Sequence, residues 1–469
     1  MSYDSKRDDE QLKVLDKSID AFIEAYQGRN VAAAKRRTVF VFPGGLASRL
    51  LRAKVPYDDA ADSPQSFDYD ICWATPQILI NGSAVLLGMQ KTAPNVYLDS
   101  NKQIIVADGA IGLHDILALP EEMDAQSSGL TPYSGFIFWC DQNDVDCFIY
   151  GWDWRRRVQD IGAFFIDIFL PHFNNRMKNE CGINTPDPFA LVGHSAGGMV
   201  VNWILRNLQN AQQLKRVVTV GTPFYGYAGQ LHRWFEGDSL VNGLNGEFTD
   251  AIVRTVCKLP GCYAWNFACE DLYNANKQAF SDDQQAPLTA YPSMDATVAN
   301  LVADPYVPKT SSVNGSLFTR YLTNVGFDST ELGDAKDLVN RLAGTLTQAQ
   351  ADKFYNLRGA AARFGGGGLL GGIGALFGDL VGAAGAAGLV VQNNTIGSTR
   401  WEWVPGNRPT IIDGPLVPGD GVQPAWTARH LDLMEAANHV VTATGPDVKH
   451  VVLMSAPSVI NKLAGVLNF

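Results

Sequence analysis

Hydrophobic positions near the start of the chain fall at helical spacing. Leu12, Leu15, Ile19, Phe22 and Ile23 recur every three or four residues, which predicts one amphipathic helix over 12–26. Beyond it the pattern changes. Short runs of β-branched and aromatic residues appear at 38–42, 146–150, 189–193, 216–221, 400–404 and 440–444, separated by stretches of helical period such as Met199, Val200, Trp203, Ile204 and Leu208. Strands with one face in water alternate apolar and polar residues, whereas these runs are continuously apolar. They read as strands covered on both faces, so the predicted architecture is α/β: a mainly parallel sheet with helices on either side. Leu453, Val459, Ile460, Leu463 and Val466 predict a closing helix.

The strand and helix alternation is interrupted between 225 and 398. The expected organisation is an N-terminal helix (1–30), a first core segment (31–224), a cap or lid insertion (225–398) and a second core segment (399–469). Helices are expected within the insertion at 334–342 and 348–357. Its stretch 364–391 holds 11 Gly in 28 residues and one charge, Asp379. Each Gly in a water-exposed helix costs roughly 1 kcal/mol relative to Ala, so a helix there needs an unusual environment. Gly371, Gly374, Gly378, Gly382 and Gly385 share a helical stripe, a pattern that suits close helix contact or a lipid interface; a disordered loop is the alternative. Gly366, Gly368 and Gly371 match G-x-G-x-x-G, but no strand precedes them and no acidic residue follows at the distance a ribose would need.

Charge narrows the partners. With 37 Lys+Arg against 48 Asp+Glu, the formal net charge is −11, and the basic runs Lys35 to Arg37 and Arg155 to Arg157 carry no interleaved aromatic platforms, so nucleic acid is not an expected partner. Seven cysteines contain no C-x-x-C pair and no H-E-x-x-H occurs, so neither a metal nor another cofactor is expected. Cys257, Cys262 and Cys269 are close enough in sequence for a local disulfide in an oxidising compartment. No basic stretch leads into an apolar one at the start, so the expected location is cytoplasmic or peripheral to a membrane, with the compartment left open.

Gly193-His194-Ser195-Ala196-Gly197 matches G-x-S-x-G and lies between an apolar run and a helical pattern. In that strand-turn-helix the glycines permit a sharp elbow, because a Cβ at either position meets backbone, and the serine is left at its tip. A serine hydroxyl needs a histidine to take its proton and a carboxylate to orient that histidine, in the chain order serine, acid, histidine. Asp420, on a turn flanked by Gly419 and Gly421, is the preferred acid, with Asp413 and Asp432 as alternatives. His450, between the 440–444 run and the closing helix, is the preferred base; His439 and His430 remain alternatives, and His194 is expected to turn away from the reacting centre. Two backbone donors must face the developing negative charge. Ala196 and Gly45, the latter following the apolar run 39–42, are the candidates.

Several colinear stretches then resemble the lecithin:cholesterol acyltransferase family, which includes lysosomal phospholipase and diacylglycerol acyltransferase relatives. Phe42-Pro43-Gly44-Gly45-Leu46 is similar to its early oxyanion loop. Trp152-Asp153-Trp154-Arg155 resembles its Tyr-Asp-Trp-Arg signature, with Trp first. Gly193 to Met199, Gly221-Thr222-Pro223, Gly419-Asp420-Gly421-Val422 and Lys449-His450 look like its nucleophile, turn, acid and histidine segments. The resemblance implies an α/β-hydrolase acting on a lipid ester, such as a phospholipid or glyceride, by hydrolysis or acyl transfer. It gives Ser195, Asp420 and His450 catalytic roles and makes Gly45 and Ala196 oxyanion donors; separately, the glycine stripe and low charge of 364–391 make that stretch the expected contact with a membrane or lipid surface. A carboxylesterase or peptidase for small substrates and a non-catalytic lipid-binding protein are the rival readings, and Asp153 and Arg155 are expected to support the site structurally.

Overall fold

The computed structural model describes residues 3–29, 37–58, 66–73, 89–93, 96–99, 102–111, 131–183, 188–225, 259–265, 329–359, 399–403, 409–413, 420, 428, 439–444, 448 and 450–467. In chain order the strands are β1 (Arg37–Phe42), β2 (Ser48–Pro56), β3 (Tyr69–Trp73), β4 (Met89–Ala93), β5 (Val96–Asp99), β6 (Gln103–Ala110), β7 (Val145–Ile149), β8 (Phe189–His194), β9 (Leu214–Val220), β10 (Phe354–Gly359), β11 (Thr399–Trp403), β12 (Pro409–Asp413) and β13 (Val440–Ala443). The helices that matter below are α1 (Tyr3–Gly28), α2 (Ser134–Gln142), α3 (Val158–Phe164), α4 (Leu170–Cys181), α5 (Gly197–Asn207), α6 (Pro260–Ala264), α7 (Ser329–Leu342), α8 (Gln348–Ala351) and α9 (Pro457–Leu467).

Six strands form one sheet in the order β13-β10-β9-β8-β1-β7, and every neighbouring pair is parallel. The alternation along β1 accounts for its unbroken apolar run. Phe40 and Phe42 enter one core with helices α3, α4 and α5, whereas Val39 and Val41 enter a second core with Phe136 and Cys140 of α2 and Val459 and Leu463 of α9. Both faces of the sheet are therefore covered, as parallel strands require. The expected α/β fold, a mainly parallel sheet between helices, is the one observed. Helix α1 joins the first core through Leu15 and Ile19, and Gln11 fixes its register: its Nε2 donates to the Ala107 carbonyl at 2.8 Å while its Oε1 accepts from the Ala107 N–H at 2.8 Å.

Several expectations about the later part of the chain are corrected. Residues 348–357 do not form one helix; α8 ends at Ala351, and Phe354–Gly359 is a strand between β9 and β13 in the main sheet. Its sequence, Phe-Tyr-Asn-Leu-Arg-Gly, has no β-branched residue, yet Phe354, Asn356 and Leu357 are fully buried, and Thr219 Oγ1 donates to Asn356 Oδ1 at 2.9 Å. The stretch 225–398 is thus no continuous insertion, because the core resumes within it. The run at 400–404 is also not a strand of the main sheet: Thr399–Trp403 pairs antiparallel with Pro409–Asp413 in a separate hairpin. A small antiparallel sheet, β3-β2-β6, inserted between β1 and β7, was not expected at all. The glycine-rich 364–391 stretch lies outside the described residues. Among the described residues no helix is long and apolar enough to cross a membrane.

Candidate active site

Ser195 stands between the end of β8 and the start of α5 with φ at +52°, a left-handed conformation that a side chain rarely adopts. Backbone contacts hold it there. Its N–H donates to the Val220 carbonyl at 2.8 Å, and its own carbonyl accepts from Gly198 N–H at 2.9 Å. The flanking glycines are required by close approach: a Cβ on Gly193 would lie 2.5 Å from the Gly197 carbonyl oxygen, and one on Gly197 would lie 2.3 Å from that of Phe42. Strain of this kind persists only where the surrounding structure holds it in place.

Two residues from the far end of the sequence meet the serine. His450 opens a short helical turn (His450–Ser455) after β13, and its Nε2 is 2.9 Å from Ser195 Oγ. Its Nδ1 is 2.7 Å from Asp420 Oδ2, and its backbone N–H donates to the Asp420 carbonyl at 2.8 Å. Asp420 and His450 are both buried. Since Asp420 accepts at Nδ1, a neutral His450 has Nε2 free to accept the Ser195 proton. Two glycines leave room for the carboxylate: a Cβ on Gly221 would lie 3.1 Å from Asp420 Oδ2, and one on Gly359 would lie 2.8 Å from Asp420 Cβ.

The turn after β1 sits on the serine. A Cβ on Gly44 would approach Ser195 Cβ to 3.0 Å, and one on Gly45 would approach Ala196 Cβ to 3.3 Å. Gly45 and Ala196, the two proposed backbone donors, are therefore packed against one another. Trp152 secures this turn by donating from Nε1 to the Pro43 carbonyl at 2.8 Å. Next to it, Arg155 binds Asp153 through Nε and Nη2 at 2.8 and 2.7 Å, with both side chains buried. The Arg155 carbonyl accepts from Gly261 N–H at 2.8 Å, and the segment so anchored carries Trp265, whose ring closes over Gly45.

The alternatives go elsewhere. His439 stacks on Tyr355 with ring centroids 4.5 Å apart, and Asp413 ends the β11-β12 hairpin. His430 and Asp432 lie outside the described residues. Cys262 is a free, buried thiol, and its two proposed partners also lie outside them. His194 does turn away from Ser195 Oγ, but towards polar partners: its Nε2 is 2.8 Å from the His450 carbonyl oxygen and its Nδ1 is 3.0 Å from Tyr133 Oη. Tyr133 was not foreseen. It precedes α2, 61 positions before His194, and nothing local in the sequence marks it.

No protein-family model matches the chain, and no curated protein matches it. Among solved structures it is similar to a chain described as "The crystal structure of Tle4-Tli4 complex", with a TM-score of 0.46 and 12% identity over 92% of this chain and 99% of that one.

Proposed function

We propose that this protein is a serine acyl hydrolase or acyltransferase of the α/β-hydrolase type whose substrate is a lipid ester. The observation that carries the reading is the continuous series Ser195 Oγ, His450 Nε2, His450 Nδ1 and Asp420 Oδ2, with gaps of 2.9 and 2.7 Å, at a strained turn. Ser195 Oγ attacks the ester carbonyl while His450 Nε2 takes its proton, and Asp420 stabilises the resulting imidazolium. The N–H groups of Gly45 and Ala196 face the negative oxygen; Ala196 adds the favourable field of the α5 N-terminus. Collapse of the tetrahedral species transfers the proton from His450 to the departing alcohol and leaves the acyl group on Ser195. Water, or a second alcohol, then attacks that ester with His450 again as base.

The lipid substrate rests on the colinear motifs that resemble lipid acyltransferases, and contact with a lipid surface through 364–391 belongs to the same proposal. Ser195→Ala should reduce fatty-acid release from phospholipid or glyceride vesicles to background and abolish labelling by a fluorophosphonate. Retained turnover would end the serine assignment. Turnover of a soluble short-chain ester with none on vesicles would retain the chemistry and replace the substrate class.

A further inference from the structure

Tyr133 and His194 are both buried, and among the described residues it is His450 that hydrogen-bonds to Ser195 Oγ, yet together Tyr133 and His194 connect the two sides of the site. The hydrogen bonds have one self-consistent direction. Gly44 N–H can only donate, so Tyr133 Oη accepts it, at 2.9 Å. The single phenolic proton is then directed at His194 Nδ1, 3.0 Å away, which must accept. The proton of neutral His194 consequently sits on Nε2 and is donated to the His450 carbonyl, 2.8 Å away, which can only accept. Burial raises the Tyr133 pKa, keeping the phenol protonated, and burial followed by the nearby His450 ring pushes His194 down to about 3, keeping it neutral.

We infer that Tyr133 and His194 form a positioning relay that sets the oxyanion turn at Gly44 in register with the backbone of the general base, His450. This rests on the serine acyl-transfer reading and deepens it. The relay joins β1's exit to the helical turn that follows β13 across 406 positions of sequence, through groups that chain connectivity alone would not hold together. A donor and a base whose separation drifts by an ångström lose transition-state stabilisation while the substrate can still bind. Neutrality matters too. The His194 and His450 ring centroids are 5.1 Å apart, so a charged His194 would oppose the imidazolium that His450 becomes in each half-reaction.

The test is a double-mutant cycle on the full chain. Tyr133→Phe preserves the ring but removes both of its hydrogen bonds; His194→Gln retains a donor near Nε2 and removes the acceptor near Nδ1. Each should lower kcat about 10- to 100-fold with KM changed less than about twofold, and the pair should lose little more than either single change, since both cut one relay. Thermal unfolding of each variant reports loss of structure separately. Unchanged kcat in Tyr133→Phe, a loss residing in KM, a loss that tracks unfolding, or multiplicative losses in the pair would overturn the relay. Failure of the serine reading looks different: wild-type protein would then form no fluorophosphonate adduct at Ser195.

Discussion

The proposed nucleophile side and the proposed acid-base side of the site are built by different means. Ser195 is held chiefly by close backbone approach: a buried strand, two glycines pressed against backbone that includes the Phe42 carbonyl, and a helix that starts at Gly197. Asp420 and His450 arrive more than two hundred positions later and are oriented by individual hydrogen bonds, from His450 Nδ1 to Asp420 and from His194 to the His450 carbonyl. The first region is fixed by steric exclusion, so its geometry and its folding fail together. In the second, chemistry can fail while the fold survives.

Three changes would break or sharpen that contrast. Asp420→Asn conserves shape but removes the acceptor that selects the His450 tautomer; kcat should fall about 10⁴-fold with Tm nearly unchanged, as read by ester turnover and thermal unfolding. A parallel collapse of Tm would place the acid side under steric control as well. Gly197→Ala should do the opposite, forcing a methyl against the Phe42 and Pro43 carbonyls and costing about 3 kcal/mol of stability in denaturant unfolding. Wild-type stability in that variant would remove the steric account of the elbow. The smallest effect concerns acid. Since folded His194 titrates near 3 and an unfolded histidine near 6.5, the unfolded chain binds the proton first as pH falls. This contribution to stability is intact above about pH 6.5 and declines down to about pH 3, amounting to about 2 kcal/mol between pH 7 and 5. His194→Gln should show a correspondingly shallower loss over that range.

The same contrast explains what could be read from the sequence. The elbow was legible because its own spelling, two glycines around the serine between an apolar run and a helical pattern, is local, and β1, β7, β8, β9 and β13 were legible because each carries a short, mainly apolar run. The strand Phe354–Gly359 was not: it holds a buried Asn356 satisfied by Thr219 and by the Ala428 carbonyl, partners that only the folded sheet supplies. The hairpin at 399–413 imitated a core strand because its aromatic content resembles one. Asp420 and His450 could be nominated from chain order, glycine flanks and the family resemblance, whereas Tyr133 carries no local mark and gains its role only from who meets it in space. For Asp153 and Arg155, the Trp-Asp-Trp-Arg spelling pointed to support of the site; the two form a buried ion pair, and the Arg155 backbone carbonyl accepts from Gly261 in the segment bearing Trp265.

The distance between the two halves also has a temporal side. During synthesis, domains fold as the chain emerges, N-terminal portions first. Ser195 and its elbow leave the ribosome while the imidazole that would receive the hydroxyl proton is 255 positions from being made. A nascent or prematurely terminated chain that already bends into the elbow therefore carries an alcohol with no base beside it.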